Sequence, residues 1–117
     1  METVEMLKTA VATLYKKKAH DIQILKVDDV TIMADYFVIC TGNSNTQIKA
    51  LADELDMKTS EKGLAPSSME GFSEATWIVM DYASVIVHIF NRETRDFYKL
   101  EKLWSDAEDI DISELLI

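Results

Sequence analysis

A few residues of this chain have the chemistry for a reaction, and their surroundings decide whether they can use it. His88 sits in VIVHIF, where strand alternation groups it with Ile86 and Phe90 on one face. An imidazole there could serve as a general base. It fits better as a histidine packed against the following helix with its nitrogens satisfied. His20 falls at a helix end and reads as a surface group. Two histidines so differently placed do not have the spacing of metal ligands. Cys40 ends the apolar run YFVIC. A nucleophilic thiolate needs exposure and an activating base, so Cys40 reads as a structural thiol.

The stretch TGNSNTQ (41–47) resembles a phosphate loop ahead of a helix. It has a single glycine and matches neither G-x-x-x-x-G-K-[ST] nor G-x-G-x-x-G. Ser44 and Gln47 instead have the S-x-x-Q spacing of a capping box. Asp35 and Asp81 fall at strand ends, where acids can hold Mg²⁺. Nucleotidyl transfer needs two or three acids converging beside a phosphate loop, and no D-x-D or D-x-E pair lies near GNS. Asp21, Asp28 and Asp29 read as turn formers. No catalytic residue, metal ligand or cofactor site is assigned.

The elements that carry these residues follow from periodicity. Val4, Leu7, Val11 and Leu14 form one stripe of a helix over 2–19. Lys16, Lys17 and Lys18 gather at its C-terminal end, where the helix dipole favours cations. IQILKV (22–27) and YFVIC (36–40) read as strands, the second buried on both faces. A helix after Ser44 buries Ile48, Leu51, Ala52 and Leu55 and ends near Gly63. Leu64–Glu70 contains Pro66 and reads as a loop or a short edge strand. TWIVMDY (76–82) and VIVHIF (85–90) form an antiparallel hairpin. Asn91 caps a last helix to Trp104, with Phe97, Leu100 and Trp104 on its apolar side.

This order predicts one α/β domain over 1–104, with a mixed sheet of about five strands flanked by helices. The crossover helix allows strand 36–40 to pair in parallel with 65–70. Residues 105–117 form an acidic tail, expected to be partly disordered, with Ile110, Ile112, Leu115, Leu116 and Ile117 available for docking. The 117-residue chain has 48% hydrophobic residues and a formal net charge of −9, and five of its acids lie in that tail. Such acidity argues against direct DNA or RNA binding; it is compatible with a basic protein partner, while simple solubility accounts for it on charge alone. A lone cysteine points to a reducing compartment, and no signal peptide or membrane span is evident. A cytoplasmic binding protein is the expectation. Six of the ten aromatics fall between Trp77 and Trp104. Some of these must be core, and the pattern alone leaves Trp77 open between core and interface. A sheet surface carrying Trp77, Met80 and Tyr82, with Asp81 beside them, would also suit a protein interface.

Two longer stretches carry a family resemblance. ADYFVICTGNS (34–44) resembles the first signature of the Iojap-like family, the ribosomal silencing factors called RsfS. EGFSEATWIVMDYASVIVHIFNRETRDFYKLEKLW (70–104) resembles the second, with EG, W-x-x-x-D, V-x-V-H-x-F and E-x-R-x-F-Y-x-L-E-x-L-W in family order. The resemblance implies a mixed-sheet domain related to nucleotidyltransferases but without their catalytic acids. It implies a partner, the large ribosomal subunit at its ribosomal protein number fourteen. Binding there would block joining of the small subunit and lower translation when nutrients are scarce. It also implies a homodimer when free. The family's contact surface maps onto Trp77, Ile78, Met80, Asp81 and Tyr82. In that mapping Trp77 and Met80 supply apolar anchor area and Asp81 pairs with a Lys or Arg. His88, Arg95 and Tyr98 match the pattern with structural roles, Arg95 as a fold-internal ion pair with Glu101 or a sheet carboxylate. Ala83 and Ser84 stand where members usually carry Gly and Asp, and Thr46 where many carry Arg. Alanine at 83 resists the positive φ that glycine permits.

Overall fold

A computed structural model describes residues 2–116. Helix α1 (Glu2–Lys16) leads into β1 (His20–Lys26) and β2 (Tyr36–Thr41). Helix α2 (Asn45–Glu61) follows, then β3 (Ser68–Glu70), β4 (Trp77–Asp81) and β5 (Val85–Phe90). The chain continues through α3 (Arg92–Tyr98), α4 (Leu100–Leu103), β6 (Glu108–Ile110) and a 3₁₀ turn over Ile112–Glu114. The strands form one sheet in the order β3-β4-β5-β2-β1-β6. It has six strands where about five were expected. The acidic stretch supplies the extra one, β6, antiparallel to β1 with Ile24 opposite Ile110. Ile110, Ile112, Leu115 and Leu116 pack against the helix-side core. Ile117, the last of the docking candidates, lies outside the described residues.

The parallel pair sits elsewhere than the sequence suggested. β2 runs parallel to β5, with Tyr36 opposite Val85 and Thr41 opposite Phe90. β3 is an edge strand antiparallel to β4. A three-residue strand just after Pro66 suits a sheet edge, where fewer backbone donors need partners. The central place beside β2 goes to β5, whose six residues are all buried.

Helices α1 and α2 cover one face of the sheet. Met6, Leu7, Ala10, Val11 and Leu14 of α1 meet Ile48, Leu51, Ala52 and Leu55 of α2 over Val38, Cys40, Ile78, Met80, Val87 and Ile89. Burial pushes the Cys40 thiol up to about 12, which keeps it protonated and unreactive. On the opposite face a smaller core gathers Leu25, Val27, Phe37, Ile39, Ile86 and Phe90 under Leu100, Trp104 and Ala107.

The expected helix to Trp104 is broken. Lys99 takes a left-handed conformation (φ 49°, ψ 51°), ending α3 and starting α4. A side chain with a Cβ is strained there by about 1 kcal/mol. The break lets Leu100 and Trp104 dock on the sheet while Phe97 turns outward and remains 79% exposed. Arg95 anchors this segment. It is buried, donates through Nε to Glu101 Oε2 at 3.1 Å, and donates through one terminal nitrogen to Thr41 Oγ1 and the Asp21 carbonyl. The expected ion pair with Glu101 is therefore part of a wider clamp between α3, α4 and the sheet.

Candidate functional site

β4 sorts its residues by strict alternation. Trp77, Val79 and Asp81 are partly exposed, whereas Ile78 and Met80 are 0% exposed. The buried pair lies in the core beneath α1 and α2. Tyr82 is buried on that side too, with its hydroxyl 3.0 Å from Thr59 Oγ1 of α2. Burial raises its phenol to about 12. Of the five residues mapped as contacts, the fold thus presents Trp77 and Asp81. Met80 supplies core volume and no outward anchor area, because α1 and α2 already occupy the space it faces.

The outward face gains residues that the mapping left out. Glu70 and Ser68 of β3 stand opposite Val79 and Asp81 and share their face. Both are exposed. Tyr98 of α3 lies 5.0 Å from Trp77, ring to ring. The surface is a half-buried tryptophan and valine bordered by the carboxylates of Glu70 and Asp81. Alternation along WIVMD was the signal for Val79. No local signal placed Glu70 beside it, since that needs the β3–β4 register.

Trp77 is held from below. Its indole N–H donates to His88 Nδ1 at 3.1 Å, and its ring stacks on Phe90 at 4.9 Å. Burial among Trp77, Phe37 and Phe90 lowers His88 to about 4, so the imidazole is neutral and Nδ1 is free to accept. The expected full satisfaction of His88 is met at one nitrogen. Nε2 is buried without a partner among the described residues. The packing neighbours are mostly the aromatic rings of the sheet face rather than the following helix.

Asp81 has a local task as well. Its Oδ1 accepts the Ala83 N–H at 2.7 Å, and Ala83 adopts φ +68°. This Asx turn closes the β4–β5 hairpin despite an alanine in a conformation that favours glycine. Ala83→Gly is expected to raise unfolding free energy by up to about 1 kcal/mol, because relieved strain exceeds the added chain entropy. Urea titration of the two chains measures it.

Asn43, Ser44 and Gln47 of the GNSNTQ loop are engaged by the fold. Ser44 Oγ accepts the Gln47 N–H at 3.0 Å and caps α2. Gln47 turns back to the Asn43 N–H rather than to Ser44, and its amide also donates to the Lys18 carbonyl. Asn43 Nδ2 lies 2.9 Å from His20 Nε2. The segment ties α2 to the α1–β1 junction. Among the described residues no three His, Cys, Asp or Glu side chains gather to hold a metal. No helix among them is long and apolar enough to cross a membrane.

Comparison with known proteins bears on the family of the chain. A sequence profile of the family described as ribosomal silencing factor during starvation (RsfS) matches residues 1–116. This chain belongs to the RsfS family. Ribosomal silencing factor RsfS of Bacillus subtilis is 42% identical over 112 residues, covering 96% of this chain and 95% of the relative. A crystal structure of a Chromobacterium violaceum protein superposes with a TM-score of 0.87 at 34% identity, covering 90% of this chain and 88% of that one. A mouse relative named mitochondrial assembly of ribosomal large subunit protein 1 is 32% identical over 99 residues, covering 81% of this chain and 43% of its own length. RsfS relatives are thus named for a regulatory role at the ribosome rather than for a reaction.

Proposed function

We propose that this chain silences translation by docking the outward face of β4 onto the large ribosomal subunit, at its ribosomal protein number fourteen. Seated there it blocks joining of the small subunit. The observation that carries this reading is the face of Trp77, Val79, Asp81 and Glu70, a partly exposed apolar centre with an acidic border on the sheet face opposite α1 and α2. Desolvated aromatics dominate interface energies, and charges at the border set partner and on-rate. A net charge of −9 suits a basic ribosomal protein. The role is binding and not catalysis, the free chain pairs with a second copy, and it works in the cytoplasm.

The test is sucrose-gradient sedimentation of large and small subunits with the purified protein. The protein should travel with the large subunit, and the joined particle should disappear. Asp81→Lys is expected to weaken large-subunit binding at least about tenfold, or about 1.4 kcal/mol. Asp81→Asn separates the two tasks of this residue, since its amide oxygen still closes the turn while the charge is gone. Undiminished binding by both variants would remove the face from consideration. The mouse relative's name favours a second reading, a role in large-subunit assembly through the same surface. Accumulation of incomplete large subunits in a deletion strain would favour it over silencing.

A further inference from the structure

An exposed aromatic row runs off the edge of the β4 face. Trp77 contacts Tyr98 at 5.0 Å, and Tyr98 contacts Phe97 edge-on at 5.0 Å. Tyr98 is 50% exposed and Phe97 79%. Neither ring is needed to fill the core, which Leu100 and Trp104 close on this side. An unbroken helix over these residues would set Phe97 on the same side as Leu100 and Trp104. The left-handed Lys99 separates them. Backbone strain held in place by the buried Arg95 clamp thus has one visible result, two aromatic rings presented beside Trp77.

The charges around the row choose among partners. Glu93 and Asp96 of α3 are exposed, as is Glu70, and Asp81 is partly so. Arg92 is spent on Asp21, whose carboxyl that hydrogen bond holds below the usual range. Along residues 92–104 the other exposed bases are Lys99 and Lys102. A surface with four acids against two bases repels a phosphate backbone and attracts a basic protein.

We propose that Phe97 and Tyr98 form the second half of the docking surface, with Phe97 an anchor that inserts into the same basic protein contacted by Trp77 and Asp81. The inference rests on the docking reading above and extends it from the sheet to the end of α3. An exposed phenylalanine that becomes fully covered on binding has the character of a hot spot.

The experiment compares wild type, Phe97→Ala, Phe97→Tyr and Asp81→Lys for binding to purified large subunits and to isolated ribosomal protein number fourteen. Thermal melting and the sedimentation of each free protein are recorded alongside. Phe97→Ala is expected to bind both targets about tenfold more weakly, with an unchanged melting temperature, and Phe97→Tyr within about twofold of wild type. Binding by Phe97→Ala within twofold of wild type, while Asp81→Lys fails, overturns the inference and leaves the docking reading standing. If neither variant loses binding, both fall together. A loss seen with whole subunits but not with the isolated protein overturns it, because the ring then meets a different component. So does a change confined to self-association, which would assign the row to a second copy of this chain. A binding loss that comes with a lowered melting temperature also overturns it, since Phe97 would then be supporting the fold.

Discussion

Gly71→Ala is expected to destabilise the chain by about 3 kcal/mol or more and to displace the start of β4. Gly71 has φ +84°, and a Cβ built there would stand 2.2 Å from the Trp77 carbonyl oxygen. The left-handed region alone costs a residue with a Cβ about 1–2 kcal/mol. The contact with Trp77 is worse, because it is made with backbone and no side-chain rotation can relieve it. Gly71 also accepts the Ala75 N–H through its carbonyl at 3.0 Å, closing the turn that delivers the chain to Trp77. Urea unfolding reads the stability loss, and Trp77 emission in a Trp104→Phe background reads the displacement. A variant as stable as wild type would mean that the turn can open without disturbing the strand.

Acid is expected to remove a contribution of His88 on the order of 3 kcal/mol between pH 6.5 and about 4. The folded protein holds this imidazole neutral down to about 4, because burial disfavours its charged form. The unfolded chain takes up the proton near pH 6.5. Between these values the unfolded state carries a proton that the folded state lacks, so stability falls as pH falls, and the effect is complete below the folded value. His88→Asn keeps an acceptor for the Trp77 indole and cannot titrate. Its stability, measured by urea unfolding at several pH values, should be less sensitive to pH through that window than wild type. Parallel curves for the two chains would assign the acid sensitivity to carboxylates instead.

Much of what β4 presents was legible in the sequence, and the departures have physical causes. WIVMD displays its alternation openly, which is enough to separate Trp77, Val79 and Asp81 from Ile78 and Met80. Grouping Met80 with Trp77 came from treating the motif as contiguous surface, whereas a strand offers only every second residue to one side. The stripe of α1, the buried run of β2 and the Ser44 cap were visible because each is a local pattern of spacing. Gly63 likewise ends α2 with φ +73°, and the Leu64 N–H reaches back to the Thr59 carbonyl. The parallel β2–β5 pair was hidden because register between distant segments leaves no local trace. β6 was hidden for a different reason. EDI is three residues long with little strand propensity, and it is a strand only because β1 has an open edge beside it. The break at Lys99 was invisible because lysine has no preference for a left-handed backbone. Arg95, held from α3 to the sheet, and the docking of Leu100 and Trp104 impose it.

The pairing of β6 with β1 has a consequence for synthesis of the chain. Gln23 and Asp109 hydrogen-bond across a separation of 86 residues, so β1 leaves the ribosome long before the segment that covers its outer edge. During that interval the nascent chain can pack α1 against β1 and β2 but offers an unprotected strand to its neighbours, the usual route to association between incomplete chains. The acids Glu108 and Asp109 of β6, and Asp111 directly after it, arrive with the covering strand and not before it. Protection of the sheet's edge is therefore deferred until nearly all of the described chain has been made, and the speed of elongation through the last part of the message sets how long that edge remains open.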